Sequence, residues 1–351
     1  MSVTRPGGFS AAGGHAGIKA DGSTDLTLLV ADRAVPTAAV FTSNGAPAAP
    51  VTVSRGHLSD GTARAVVANS GCANAGTGTA GIEAARRMAE VAASAIGCGP
   101  DEVIVCSTGP IGPTLPMARV EEGIGRVAVG LSSGARSDLD AAAGILTTDT
   151  TTKQSGHDGP AWTIGAIAKG AAMCRPDMAT MLAFATTDAV IDTAGVDSAL
   201  RAAVAGSFNS LNIDGCQSTN DTVVLMASGT SGIEPDHAAF TAALSVVCED
   251  LARQMAADGE ETTKVVDVVV EGAYDDARAH GFGLAITDSD LVRSSFYGAD
   301  PNWGRVLAAL GASGYPIDQA HVAVAYEDVL IAESGAEVAY DRPALISRLG
   351  G

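Results

Sequence analysis

Positive charge is scarce in this chain. Lysine and arginine together number 21 against 40 aspartates and glutamates, a formal net charge of −19. A surface of that sign repels nucleic acid and anionic membranes, so neither is expected as a partner. No apolar run reaches the length of a bilayer span, and the first eight residues are too polar and glycine-rich for a secretory signal. The expected compartment is the cytoplasm. Six cysteines (Cys72, Cys98, Cys106, Cys174, Cys216, Cys248) show no C-x-x-C spacing, which points to free thiols, mostly buried, over a disulfide framework. Six histidines form no H-E-x-x-H or similar cluster, so no metal is expected. Lysine is limited to Lys19, Lys153, Lys169 and Lys264 against 17 arginines, which makes each lysine in a motif worth following.

What remains is an alanine-rich, mixed α and β pattern. The length of 351 residues suits one large or two medium domains with a sizeable core. Short β-branched runs at 26–30, 63–68, 103–106, 222–227, 265–271 and 322–327 predict strands, as does the stretch from Thr180 to about 191. Apolar residues at helical spacing predict helices over 83–96, 196–205 and 236–257. No fixed-period repeat or low-complexity tract occurs. A match to G-x-G-x-x-G at 76–81 fails as a dinucleotide turn. Seven residues separate it from its strand, and Glu90 falls inside the following helix.

One stretch carries chemistry. Residues 169–182 read K-G-A-A-M-C-R-P-D-M-A-T-M-L. A Pro-Asp turn is followed by a small residue, Ala179, then a hydroxyl, Thr180, at the head of an apolar β-like run. Cutting the Ala179–Thr180 bond gives Thr180 a free α-amine able to act as base for its own hydroxyl. A threonine opening a strand also has a plain structural reading, since β-branched residues fit strands. Cys174 is a second nearby nucleophile, but no histidine stands near it in sequence to activate it. C-S-T-G-P-I-G at 106–112 sets the hydroxyl of Thr108 beside the backbone N–H of Gly109, two donors suited to an oxyanion. T-T-D-T at 147–150 and S-T-N-D-T at 218–222 suit a polar substrate, or equally caps and turns. D-G-E at 258–260 brings a carboxylate to a helix end, and D-P-N-W-G-R at 300–305 holds one of two tryptophans.

Taken in order, and with G-F-S-A-A-G at 8–13 and N-S-G-C-A-N at 69–74, these segments resemble the ornithine acetyltransferase (glutamate N-acetyltransferase) family over nearly the whole chain. The resemblance implies a layered α/β sandwich and self-cleavage into segments 1–179 and 180–351 that stay associated. It also implies a heterotetramer of two cleaved protomers, with acetyl transfer from N2-acetylornithine to glutamate in arginine biosynthesis. Some family members also take acetyl-CoA as co-substrate, and no bound cofactor is implied. By motif match Thr180 is the nucleophile and acetyl carrier, Thr108 and Gly109 form the oxyanion hole, and Thr147, Lys169, Thr180 and Glu260 bind the amino-acid substrate.

The chain departs from the family's usual residues at Cys72, Ala172, Asp177, Cys216 and Gln217. It ends at Gly351, where the family continues to a C-terminal asparagine and hydroxyl residue of the substrate pocket. Two other functions are compatible with the same residues. One is a hydrolase or aminopeptidase using the same threonine; the other is a truncated relic that folds without turnover.

Overall fold

The computed structural model describes residues 2–175 and 181–350, so Ala179 and Thr180, the expected cleavage site and nucleophile, lie outside the described residues. It divides into two compact units, Met1–Glu260 and Glu261–Gly351.

In chain order the first unit contains β1 (Phe9–Gly14), β2 (Leu26–Phe41), α1 (Ala49–His57), β3 (Thr62–Ser70), α2 (Gly78–Ile96) and β4 (Val103–Thr108). It continues with α3 (Met117–Val129), α4 (Ala135–Gly144), β5 (Lys153–Asp158), β6 (Thr163–Lys169) and β7 (Leu182–Thr187). It closes with α5 (Thr193–Gly206), β8 (Thr222–Ala227) and α6 (His237–Ala257). The strands join in the order β4-β3-β2-β8-β7-β6-β5, with β1 beside β2. β2 is the hinge of this arrangement. Its first half pairs β1 and β3, and its second half, from Thr37, pairs β8 antiparallel. The register shifts between Val30 and Val35, where Asp32, Arg33 and Ala34 are exposed. The shift acts as a bend that lets one strand serve two sheets.

The two sheets stack face to face. Alternation along each strand sends every second side chain inward. Val66, Ala68, Ile104 and Cys106 of one sheet thereby meet Ile167, Leu182, Phe184, Val224 and Met226 of the other. The outward residues are apolar too, because helices cover both outer faces. Leu28, Ala65, Val67 and Val105 pack on Met88, Ala92, Val120 and Ile124 of α2 and α3. Ala183, Val223 and Leu225 pack on Leu200, Val204, Phe240 and Leu244 of α5 and α6. The result is the expected layered α/β sandwich, helix–sheet–sheet–helix. Each buried Val, Leu, Ile or Phe contributes roughly 1.5–3 kcal/mol, so three contiguous cores account for its cohesion. Small residues allow close layers. A Cβ on Gly13 of β1 would sit 1.8 Å from the Asp140 carbonyl of α4.

Helix ends follow capping chemistry. Asp192 accepts from the Gly195 amide at 2.8 Å and Asp236 from the Ala239 amide at 2.9 Å, so α5 and α6 start where those carboxylates stand. α2 stops at Gly97, whose φ of +75° suits glycine.

The second unit holds α7 (Asp276–Thr287), α8 (Asp290–Tyr297), α9 (Trp303–Gly311), β9 (Val324–Tyr326), β10 (Val329–Glu333), β11 (Ala336–Glu337) and α10 (Arg342–Leu349). Its core gathers Ile286, Val292, Val306, Ile331 and Leu345. The strand expected over 265–271 does not form. Val265, Val266 and Val269 are exposed, and no described strand pairs with that stretch. β-branched composition favours extended backbone but cannot supply a partner edge.

Among the described residues no helix is long and apolar enough to cross a membrane, and no group of His, Cys, Asp or Glu could hold a metal ion.

Candidate active site

Strand direction brings the sequence motifs to one edge of the first unit. β6 runs antiparallel to β7, β7 parallel to β8, and β8 antiparallel to β2. The end of β6 (Lys169), the start of β7 (Leu182), the start of β8 (Thr222) and the end of β2 (Phe41) therefore share that edge. In the facing sheet β4 ends at Thr108. Both Lys169 and Thr108 continue the inward rows of their strands, beyond Ile167 and Cys106.

These two side chains meet. Lys169, fully buried, donates from Nζ to Thr108 Oγ1 at 3.0 Å. The ammonium occupies a lone pair of that hydroxyl, which leaves the O–H of Thr108 to donate elsewhere. Burial lowers the Lys169 pKa, against the opposing charge of Asp149. Gly109 follows at φ +134°, and a Cβ there would lie 2.5 Å from the Cys72 amide nitrogen. Only glycine fits. The loop is held by the 69–74 stretch: Cys72 N–H donates to the Thr108 carbonyl at 3.1 Å and Ala73 N–H to the Pro110 carbonyl at 3.1 Å.

Thr147 is joined to this pair through Asp149. The Thr147 amide donates to Asp149 Oδ2 at 3.1 Å, and the amide of Gly170, next to Lys169, donates to Oδ1 at 2.7 Å. Lys153 closes the network. Its buried ammonium donates to Asp149 at 2.7 Å and to Asp258 at 2.6 Å, while Asp258 also accepts from the hydroxyl of Thr150. Glu260 lies two residues beyond Asp258, with its amide 2.9 Å from the Ala171 carbonyl and its side chain exposed. Thr108, Gly109, Lys169, Thr147 and Glu260 thus belong to one connected set, and Thr180 lies outside the described residues between two anchored ends. Before it, Cys174 N–H donates to Asp214 at 3.0 Å. After it, Met181 N–H donates to Asp221 Oδ1 at 2.9 Å. Burial pushes the Cys174 thiol well above its ordinary range, against the nearby Lys169 charge, which keeps it protonated and a poor nucleophile.

Sequence reasoning missed four members. Asp149, Asn220 and Asp221 lie inside motifs noted for their hydroxyls, and Lys153 lies outside every motif. Lysine scarcity was the available signal for Lys153. Asp221 is fully buried, and its Oδ2 has no hydrogen-bond partner among the described residues. Burial pushes its carboxyl up to about 8, with the Met181 amide, Ser218 and the Lys169 charge opposing.

Known proteins are similar to this chain in sequence. A family model described as the ArgJ family matches residues 10–349. The arginine biosynthesis bifunctional protein ArgJ of Thermobifida fusca is 46% identical over 337 residues, which cover 95% of this chain and 87% of that protein. Its namesake from Mycobacterium leprae is 45% identical over 342 residues, covering 95% of this chain and 84% of the relative. Among solved structures, ornithine acetyltransferase from Mycobacterium tuberculosis in complex with ornithine is 42% identical. It covers 50% of this chain and 94% of its own, with a TM-score of 0.48.

Proposed function

Because the chain belongs to the ArgJ family, we propose that it is a self-processing acetyltransferase of arginine biosynthesis. It moves an acetyl group from N2-acetyl-L-ornithine to L-glutamate. Thr180, freed by cleavage after Ala179, carries the acetyl group. The observation that carries this reading is the Lys169–Thr108 contact at 3.0 Å, made at the edge where β7 begins just after Thr180.

The steps follow from those groups. The Thr180 α-amine takes the hydroxyl proton as Oγ1 attacks the acetyl carbonyl of acetylornithine. Negative charge builds on the carbonyl oxygen, where the Thr108 hydroxyl and the Gly109 N–H donate to it. Collapse breaks the C–N bond; the ornithine nitrogen takes the proton and leaves an acetyl ester on Thr180. Glutamate's amine attacks that ester by the same route in reverse. Lys169 pairs with a substrate carboxylate, Thr147 adds a polar contact, and Glu260 faces ornithine's cationic end. One pocket serves both amino acids, since they share an α-carboxylate and an amine.

The sheet order supports continued association of segments 1–179 and 180–351 after the cut. β7 and β8 follow Thr180 yet lie between β2 and β6, which precede it. Separation would break two strand pairings, β2 with β8 and β6 with β7, and expose the inner core.

The test is acetyl exchange by the purified protein with isotopically labelled acetylornithine. Label is expected in acetylglutamate only when glutamate is present. Acetylornithine loss without glutamate would identify a hydrolase, and no turnover from a cleaved protein would refute the proposal.

A further inference from the structure

Asn220 and Asp221 stand side by side at the entry to β8, and between them they reach both halves of the proposed site. The Asn220 amide donates from Nδ2 to the carbonyls of Ala73 at 2.6 Å and Ser107 at 2.9 Å, so it grips the backbone one residue before Thr108. Asp221 Oδ1 takes the amide of Met181, the nitrogen bonded directly to the carbonyl carbon of Thr180. The Met181 carbonyl in turn accepts the Thr222 amide at 3.2 Å, and the Asp221 carbonyl accepts the Thr42 amide at 3.0 Å. The backbone on either side of Asp221 is thus pinned to the end of β2 and the start of β7.

We propose that Asp221 is a positioning residue for the nucleophile. Its hydrogen bond to the Met181 amide anchors the residue that directly follows Thr180, and Asn220, which holds the backbone just before Thr108, is the other arm of the gauge. This rests on Thr180 being the nucleophile. The role asks only for a hydrogen-bond acceptor. Burial keeps the carboxyl largely protonated at neutral pH, so an asparagine, neutral and of the same shape, reproduces the acceptor. A leucine or alanine removes it in two different volumes, so that loss of the acceptor is read independently of cavity or crowding.

Cleavage of full-length chain made by cell-free translation is followed with time for wild type, Asp221→Asn, Asp221→Leu and Asp221→Ala. Exchange kinetics are then measured on material incubated until cut. A misplacement of about 1 Å lowers rates roughly 100-fold, so cleavage and kcat are expected to fall by about that factor in the leucine and alanine variants, with KM within about threefold. Asp221→Asn is expected within about threefold of wild type on both rates, at unchanged or higher Tm. Wild-type rates in either folded acceptor-less variant overturn the inference, as does an asparagine variant as slow as leucine. Thr180→Ala in the same assay separates the two ideas. If it cleaves and turns over, the function proposed above fails; if it is inert while Asp221 variants behave as wild type, only the positioning role fails.

Discussion

Thr180→Ala is expected to yield one uncut chain and to lower acetyl exchange by a factor on the order of 10⁴ or more. Two separate losses combine in that change. Without the hydroxyl, nothing attacks the Ala179 carbonyl to transfer the acyl group from nitrogen to oxygen, so the C–N bond stays closed and no α-amine is released. Without the same hydroxyl, no acetyl ester forms even if the chain were cut. The donors at Thr108 and Gly109 and the cation at Lys169 remain, and these account for whatever residual rate survives. Intact mass and exchange are to be read on the same sample. Thr180→Ser keeps the hydroxyl and gives up only the methyl that fixes its rotamer, so it is expected to cleave more slowly and retain part of the exchange. Two fragments meeting at residue 180 in the alanine variant would refute the assignment of the nucleophile.

Much of the first unit was legible because its strands are buried on both faces. The run T-V-V-L-M-A matches β8 residue for residue, and the helix read over 236–257 is α6 with Asp236 as its cap. β1 escaped notice because F-S-A-A-G-G offers no β-branched residue; its place is set by Gly13, whose missing side chain admits α4. The sequence predicts a strand only over 26–30, whereas β2 bends at the exposed Asp32 and Arg33 and continues into the second sheet. The opposite error at 265–271 came from composition without a partner. In the site, motif segments marked Thr108, Thr147, Lys169 and Glu260 individually, but what joins them was not visible. Residues 149, 153 and 258 meet only because α6 returns its end to the start of β5, and nothing in local spacing encodes that return.

That joint gives the second large effect. Lys153→Met is expected to destabilise the first unit by about 3–5 kcal/mol, because removing one member of a buried ion cluster strands the others. For a unit of this size the loss corresponds to a Tm lower by about 10 °C. Asp149 and Asp258 would face each other with no cation between them, although both are largely shielded from water. Methionine keeps the length and apolar stem of lysine, so charge and not packing is what the substitution removes. The pH dependence checks this. In the wild type, burial alone would raise the Asp258 carboxyl, but Lys153, Thr150 and Thr151 hold it at about 2; Asp149 is likewise held low against burial, by Lys169 and Lys153. Carboxylates depressed in the folded state contribute stability that is present above their unfolded pKa near 4 and is lost as pH falls toward 2. With Lys153 gone, that depression weakens, since Lys169 beside Asp149 and the Thr150 and Thr151 hydrogen bonds to Asp258 remain, and the folded variant accepts protons at higher pH than the wild type does. The deficit is therefore expected to be full at pH 7 and smaller at pH 4, read by denaturant unfolding at the two values. A deficit that does not change with pH would mean that the two carboxylates are not held by the lysine charge. KM for acetylornithine is expected to rise with the loss of stability, since Thr147, Lys169 and Glu260 are carried on the segments that Lys153 ties together.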